Sequence, residues 1–581
     1  MLSIFKKIKW FIETYKKEYA IGMILILINY VLIIIPPWLL GRAADSIRQE
    51  AIGLTELYRY VLLMVLVIAL LYATAYGWGY LLFKGSDRIG RAARRNVVNK
   101  LLGQTPVFYE INSTGSLMGK ATNDVRSLQD FAGFGMMALL DATIYPIALV
   151  IIMSITVSWK LTALAVLPLP LVVVTSKFIG NKLYKVYNKV QKAFDGMNEA
   201  VLENVLGVRV IRAFVREPSE ENRFSEKAKT LYKSNMEQVK WVAFFPFISR
   251  IFPGISYVIT FLYGAYLIKT GAITIGGLIS FTVYLNMITW PMFALGDFIN
   301  VSEQASASMD RIQELLDYKE DMVDAAEAVP YSGNGDIVFK NFNFKYPGST
   351  DLNLSDINLV IKNGKTLGVV GKIGSGKTTL LKQILRFYPI EKETLFIDDI
   401  PVENLKTESI REKVGYVPQQ HILFSKSVKE NIELGRDDDS DNDVLTAVES
   451  ADFKKDLEIL PNGLDTMVGE KGVALSGGQK QRLSIARALI RDPEILIMDD
   501  SLSAVDANTE EKIIENIKRD RVGRTTIIAA HRLSGIMHAD EIIVLEEGKI
   551  VERGTHEELI AQNGWYHEQF TIQQLEDHNG K

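Results

Sequence analysis

Nine consecutive residues, Gly371-Lys-Ile-Gly-Ser-Gly-Lys-Thr-Thr379, have the types and the spacing to hold a phosphate chain. Glycines at 371, 374 and 376 let backbone N–H groups turn inward around phosphate oxygens. A helix opening at the same point adds the partial positive charge of its N-terminus. Lys377 would reach the β- and γ-phosphates, and the Thr378 hydroxyl would face Mg²⁺. All nine positions, Gly371, Lys372, Ile373, Gly374, Ser375, Gly376, Lys377, Thr378 and Thr379, are therefore candidate nucleotide contacts. The context fits: Thr366-Leu-Gly-Val-Val370 reads as a buried strand, and Leu380-Leu-Lys-Gln-Ile-Leu385 has helical spacing.

Other chemistry-bearing residues follow in order along the same half of the chain. Tyr346 ends an alternating strand that begins at Asp336, and its ring is placed to stack on an adenine. Val414-Gly-Tyr-Val-Pro-Gln419 is a strand ending in a glutamine. Leu475-Ser-Gly-Gly-Gln479 leads into a helix, so Ser476, Gly477, Gly478 and Gln479 form a second anion-binding N-terminus. Glu494-Ile-Leu-Ile-Met-Asp499 is a buried strand ending in a carboxylate suited to Mg²⁺-bound water. Asp500, the stretch Ser501 to Asp506, and His531 after the strand Thr525–Ala530 complete the set.

At 581 residues the chain is too long for one domain. It is 48% hydrophobic, but the apolar residues dominate the first three hundred positions and the charges come later. A net charge of −4 gives no support for nucleic-acid binding. Zero cysteines exclude disulfides and cysteine-ligated metal, and fit a reducing compartment. No short apolar region with a small-residue cleavage site is visible near the start.

The phosphate loop must be carried by something, and the first half is a membrane domain. Ile4, Ile8, Phe11, Ile12, Tyr15 and Tyr19 share one helical stripe, with Lys6, Lys7, Lys9, Lys16 and Lys17 off it. That pattern suits a helix lying on an anionic inner leaflet; the alternative is an amphipathic helix packed on protein. Six apolar stretches then follow at about 19–41, 57–83, 131–157, 159–180, 241–268 and 275–301, each able to cross a ~30 Å hydrocarbon layer. Pro36-Pro37 should kink the first, and Pro168 and Pro170 the fourth. The loops after the second and fourth stretches are long and basic, while the others carry few cations. Both termini and both long loops are thus expected on the cytoplasmic side. Breaks at Asn112-Ser-Thr-Gly115 and Leu206-Gly207 could hold short transverse helices that dock on a cytoplasmic domain.

Ionisable residues inside spans usually face a cavity or a partner. Asp141 lies about 27 Å of helix from the outer end of the third stretch, and Asp297 lies at a similar depth in the sixth. Arg250 in the fifth is a candidate partner for either acid. Tyr145, Phe261, Met287, Trp290 and Phe293 could line a cavity for amphipathic aromatics, although most such residues are core or lipid-facing. An acidic connector ends near Gly333-Asn-Gly335. The expected division is a membrane domain at 1–310, a linker at 311–335 and an α/β P-loop domain at 336–575.

Taken in this order, the motifs resemble those of a half-transporter of the ATP-binding cassette superfamily, of the type-1 exporter kind with six helical spans before the cassette. Walker A is 371–378, Walker B is 495–499, the signature is Leu475 to Gln479, the Q-loop glutamine is Gln419 and the switch histidine is His531. The resemblance covers nearly the full length. It implies ATP and Mg²⁺ as cofactors, with Thr378, Gln419 and Asp499 toward the metal and Tyr346, Ser476–Gln479 and Asp506 toward nucleotide. Asp500, Gln419 and His531 would serve hydrolysis. It further implies two chains side by side in a cytoplasmic membrane, each composite site formed by one Walker A and the other chain's signature, with loop 177–240 docking on the partner's cassette. By the same resemblance Asp45 belongs to an extracellular gate, or is an ordinary loop acid.

One departure matters. The residue after the Walker B aspartate is normally a glutamate that polarises the attacking water; here it is Asp500. Losing one methylene withdraws the carboxylate by ~1.3–1.5 Å, and a ~1 Å misplacement can cost ~10²-fold in rate. The resemblance is then to the degenerate-site half of bacterial heterodimeric multidrug exporters of the BmrC/BmrD and LmrC/LmrD kind, the BmrC-like half above all, Glu470 included. A partner half-transporter would supply the glutamate, and amphipathic small molecules would be moved outward. The alternatives are a slow homodimer, a lipid or peptide exporter, or a regulatory half that only senses nucleotide.

Overall fold

Two kinds of sequence periodicity divide this chain, and the computed structural model keeps them apart. It describes residues 3–48, 54–436, 440–469, 472 and 475–579; Glu470 lies outside them. One unit comprises Met1–Gly103 with Thr114–Tyr318, and the other Gln104–Ser113 with Lys319–Lys581. The expected linker is thus split: helix Thr289–Leu316 runs past residue 310, and the chain from Lys319 onward counts with the cassette.

Among the described residues, every regular element of the first unit is a helix. Among the described residues, five stretches are long and apolar enough to cross a membrane: Lys16–Arg48, Thr55–Leu102, Thr114–Val172, Arg250–Lys269 and Ile275–Leu316. The third spans 59 residues, about 90 Å if straight, far more than one crossing. Ser158 divides it: its backbone is extended (φ −168°, ψ 126°), and its side chain caps the helix starting at Trp159. The two halves correspond to the third and fourth expected spans. Pro36 and Pro37 lie inside one continuous helix rather than ending it. Carbonyls of that turn find donors on the neighbouring helix, Tyr284 Oη to Ile34 O at 2.7 Å and Ser280 Oγ to Pro37 O at 2.8 Å. Helix Glu217–Lys269 and helix Pro170–Leu206 are far longer than a bilayer requires. Short helices sit at the two expected breaks, Pro106–Ile111 and Val208–Ala213.

The N-terminal stripe is corrected by the structure. Ile4, Ile8, Phe11 and Tyr19 are buried, with Phe5 edge-on to Phe131 at 5.3 Å and Lys7 Nζ 2.7 Å from Ser306 Oγ. The stripe covers protein, not lipid, because Phe131 and helix Thr289–Leu316 offer an apolar surface that its spacing matches. Arg250 is exposed and, among the described residues, makes no ion pair with Asp141 or Asp297. Asp45 accepts from Thr274 Oγ1 at 2.5 Å and Gly276 N at 2.7 Å, so it ties the end of helix Lys16–Arg48 to the start of helix Ile275–Met287.

The second unit builds its site from strand order. A mixed sheet runs β10-β9-β3-β8-β7-β6, where β3 is Thr366–Gly371, β6 Val414–Val417, β7 Ile495–Asp499, β8 Thr525–Ala529, β9 Glu541–Glu546 and β10 Lys549–Gly554. All its pairings are parallel except β10 with β9. Strands β7 and β8 are buried at every position, as a parallel sheet covered on both faces requires. Parallel strands end on one edge, and ligands bind there. β3 ends at the phosphate loop, β7 at Asp499, β8 before His531 and β6 before Gln419. A smaller antiparallel sheet, β2-β1-β4-β5, with β1 Ile337–Phe344, β2 Leu354–Ile361, β4 Leu395–Ile397 and β5 Ile400–Pro401, carries Tyr346 just beyond β1. The short helix Pro106–Ile111 belongs to this unit: Val107 is buried in its core, and Tyr388 Oη donates to Glu110 Oε1 at 2.6 Å.

Candidate nucleotide site

The phosphate loop has the backbone its glycines promise. Gly376, at φ +105°, forms the left-handed N-cap of helix Lys377–Ile384. At Gly371, φ +149°, a Cβ would fall 2.1 Å from Leu545 O, so no other residue fits there. Lys377 is buried and folds back on the loop, with Nζ 2.7 Å from Gly371 O and 3.1 Å from Lys372 O. Burial holds its ammonium below the usual lysine range, against the opposing pull of Asp500 and Asp499. Such a cation gains most from an incoming anion. Ser375 Oγ is buried without a hydrogen-bond partner among the described residues, an orphan that a phosphate oxygen would satisfy. Lys372 and Ile373 offer only backbone: Lys372 pairs with Glu546 at 2.7 Å, and Ile373 is 91% exposed. Tyr346 Oη is 3.1 Å from Thr379 Oγ1, and its ring stands edge-on to Tyr388 at 5.0 Å.

Asp499 anchors the other side of the site. It is almost fully buried; Thr378 Oγ1 donates to its Oδ1 at 2.9 Å, and Tyr416 Oη approaches Oδ2 at 3.5 Å. Burial pushes its carboxyl above the usual range, and the Thr378 hydrogen bond opposes that. Burial, then Asp499 itself, pushes the Tyr416 phenol up. The donor set is oxygen only, and among the described residues no group of three or more His, Cys, Asp or Glu could hold a metal. That suits Mg²⁺, which keeps waters and phosphate oxygens as ligands and takes one or two from protein. Thr378, Asp499 and Gln419 would hold it.

Asp500 follows with φ +48°, its N–H donating to Ala529 O at 2.8 Å. Gln419 Nε2 lies 3.5 Å from its Oδ2. Asp500 shares a recess with His531, Arg532 and Glu510. His531 is exposed, and its loop is pinned from the C-terminal helix: Gln573 donates to His531 O at 3.1 Å and accepts from Leu533 N at 2.9 Å. Sequence reasoning missed Gln573, Glu510 and Tyr416. Tyr416 was readable, since it lies two residues before Pro418 in the strand leading to Gln419. Gln573 left no local signal, being 42 residues from His531.

The signature stands apart. Ser476 and Gln479 form a reciprocal capping box at the start of helix Gly477–Leu489. Gln479 and Arg482 both bind Asp456, at 3.2 and 2.9 Å. Among the described residues, no hydrogen bond or ion pair joins 475–479 to 371–379. Asp506 likewise caps its own helix, accepting from Thr509 N at 3.1 Å. Among the described residues, Asp506 too makes no hydrogen bond to 371–379.

Two family models match the chain, the ABC transporter transmembrane region over residues 19–292 and the ABC transporter family over 354–503. A probable multidrug resistance ABC transporter ATP-binding/permease protein of Bacillus subtilis, YheI, is 45% identical over 575 residues, covering 99% of this chain and 98% of that protein. The ATP-dependent lipid A-core flippase of Syntrophus aciditrophicus is 32% identical over 582 residues, covering 100% and 96%. Among solved structures, a bacterial Atm1-family ABC exporter with ATP bound superposes with a TM-score of 0.79 at 25% identity, covering 96% of this chain and 99% of that one. With a helical membrane region preceding a cassette in which the loop 371–379, the buried Asp499 and His531 follow strands that end on one sheet edge, the chain belongs to the ATP-binding cassette exporters and couples ATP hydrolysis to transport.

Proposed function

We propose that this chain is one half of a heterodimeric multidrug exporter in the cytoplasmic membrane, and that its own Walker A serves the slower of two composite sites. Asp500 carries the reading: the position that should polarise water holds a carboxylate one methylene too short. In this scheme Lys377 and the loop amides bind the β- and γ-phosphates, Tyr346 stacks the base, and His531 and Gln419 report the γ-phosphate to their strands. When bound, Mg²⁺ neutralises phosphate charge. Ser476 and Gly477 act in the opposite site, on the partner's nucleotide. The separation of 475–479 from 371–379 supports a site completed by a second chain. So does the exposed apolar surface around helix Val208–Ala213, where Leu206 is 77% and Phe214 73% exposed. The basic loops support cytoplasmic termini and cytoplasmic coupling helices.

The test compares Mg²⁺-ATPase rates of the purified chain alone with those of an Asp500→Glu variant. Turnover by the chain alone should be very slow, and Asp500→Glu should raise it toward ~10²-fold. Robust turnover by the unmodified homodimer refutes the heterodimer. A second reading, lipid export, draws on the flippase relative; transport assays with labelled lipid against labelled drug separate the two.

A further inference from the structure

The loop that carries His531 is gripped by two side chains from two different helices of the cassette unit. Glu510 is the first. It sits one turn into helix Ala507–Asp520, whose N-cap is Asp506, and its N–H donates to Asp506 O at 2.9 Å. Only 3% of it is exposed, and a carboxylate buried so far is costly unless it is paired and hydrogen-bonded. Its side-chain partners lie in the residues just after His531: Ser534 Oγ donates to Oε1 at 2.8 Å, and Arg532 stands 3.7 Å from Oε2. A Cβ at Gly535 would fall 3.3 Å from Oε1, so the chain there passes close against the carboxylate. Gln573, on helix Trp565–Asn579, is the second. Its Nε2 donates to His531 O at 3.1 Å, and its Oε1 accepts from Leu533 N at 2.9 Å.

The two grips divide the work. Gln573 fixes the backbone on either side of Arg532, and Glu510 fixes the side chains on either side of Leu533. Among the described residues neither bonds to the imidazole of His531, which stays exposed in the recess it shares with Asp500 and Glu510. A buried charge is a poor way to glue a helix to a loop, because a well-packed apolar residue usually does so at lower cost. What charge and amide add is direction: each hydrogen bond sets where the loop stands to a few tenths of an ångström. That matters here, since a ~1 Å misplacement of a group at the reacting centre can cost ~10²-fold in rate. We infer that Glu510 and Gln573 are positioning residues for ATP hydrolysis, acting through His531. The C-terminal helix is thereby part of the support of the hydrolytic site. This inference rests on His531 serving the site built on this chain's own phosphate loop.

The test separates binding from turnover on this polypeptide alone. The full-length chain is purified with whatever chain co-elutes, and carries Asp500→Glu throughout so that its own site has a carboxylate of full reach. Radiolabelled azido-ATP is cross-linked to it on ice, which reads binding, and after warming with Mg²⁺ and vanadate, which reads turnover. Glu510→Ala and Gln573→Ala should each cut the vanadate-trapped label about tenfold or more and leave the label on ice within about threefold. Glu510→Gln keeps an acceptor for Ser534 Oγ and should trap more than Glu510→Ala. Loss of both labels in step means that the two side chains only hold the fold, and trapping that survives both alanine variants means that they do not place His531; either overturns the inference. If Glu510→Ala does not accumulate, Ser534→Ala removes the same hydrogen bond from the loop's side and is read by the same outcomes. His531→Ala tests the premise. Unchanged trapping in that variant sinks the role of His531 and the grips with it, whereas lost trapping there beside unaffected Glu510 and Gln573 variants sinks the grips alone. An Asp500→Glu reference that traps nothing removes hydrolysis from this chain's own site and overturns the inference together with the argument from reach.

Discussion

If the chain is one half of a heterodimer, as proposed, Gly477→Glu and Lys377→Ala, made one at a time in this chain, separate the two composite sites. A Cβ at Gly477 would have Ala504 Cβ as its nearest neighbour at 3.9 Å, ordinary contact, so the substitution fits this chain's own fold. At Gly478 it would press on Ala504 O at 3.1 Å, which makes 477 the cleaner position. A glutamate in the first turn of helix Gly477–Leu489 is even favoured by the helix dipole, by ~0.3–1 kcal/mol. Its damage falls on what approaches from outside: it sets a carboxylate against the partner's γ-phosphate beside Ser476. Losing one such preorganised donor costs ~10²–10³ in rate. On the same proposal Lys377→Ala acts on the slow site. It strips the hydrogen bonds to Gly371 O and Lys372 O, loosening the loop and ATP retention there. It reaches the fast site only through coupling of ~1–3 kcal/mol, a factor of ~5–150. Steady-state ATPase of the two mutant heterodimers at saturating Mg²⁺-ATP should therefore show near-complete loss for Gly477→Glu and a measurable remainder for Lys377→Ala. A Lys377 variant more severely inactivated than the Gly477 variant refutes the assignment of sites.

Three further outcomes follow from geometry. Tyr388→Phe and Glu110→Ala each remove the 2.6 Å hydrogen bond that holds helix Pro106–Ile111 to the cassette; a double-mutant cycle on thermal unfolding should return a coupling of about 1–2 kcal/mol, and additive losses would show that the bond contributes nothing. Burial, reinforced by Lys518, pushes His538 down to about 4, so between pH 4 and 6.5 the folded cassette binds fewer protons than the unfolded chain. Stability should rise with pH across that window, by about 2–3 kcal/mol in all, and a His538→Gln variant should show a flatter melting profile from pH 4 to 7. Gly41→Ala would place a Cβ 2.4 Å from Gly276 O, forcing two helices apart; its melting temperature in detergent should fall by the equivalent of about 1–3 kcal/mol, and an unchanged melt would mean that those helices separate freely.

The sequence displays the nucleotide site because phosphate chemistry restricts residue type locally. Gly371 and Gly376 are needed for their backbone angles, Lys377 for reach, Asp499 for a strand end, and parallel strand order does the rest. Long-range pairs were not legible. Asp141 invited a basic partner such as Arg250, yet its oxygens are met by Tyr30 and Trp290, 111 and 149 residues away. The lysine-flanked stripe from Ile4 to Tyr19 carries the same pattern whether it meets lipid or protein, and only the presence of Phe131 and Phe298 decides. Gln573 serves His531 through a backbone carbonyl, a contact that leaves no trace in side-chain type.

The membership of residues 104–113 in the cassette unit bears on how this protein can be taken apart. A soluble fragment beginning at Lys319 would leave behind ten residues that its own interior uses. The space filled by Val107 would open to solvent, and Tyr388, pushed up by burial and by Glu110, would lose its acceptor. Such a fragment would expose fresh apolar surface beside the adenine-side aromatics and self-associate. Supplying a peptide that spans 104–113, or fusing it through a flexible tether, should restore solubility. The cassette is a domain in space before it is one along the chain.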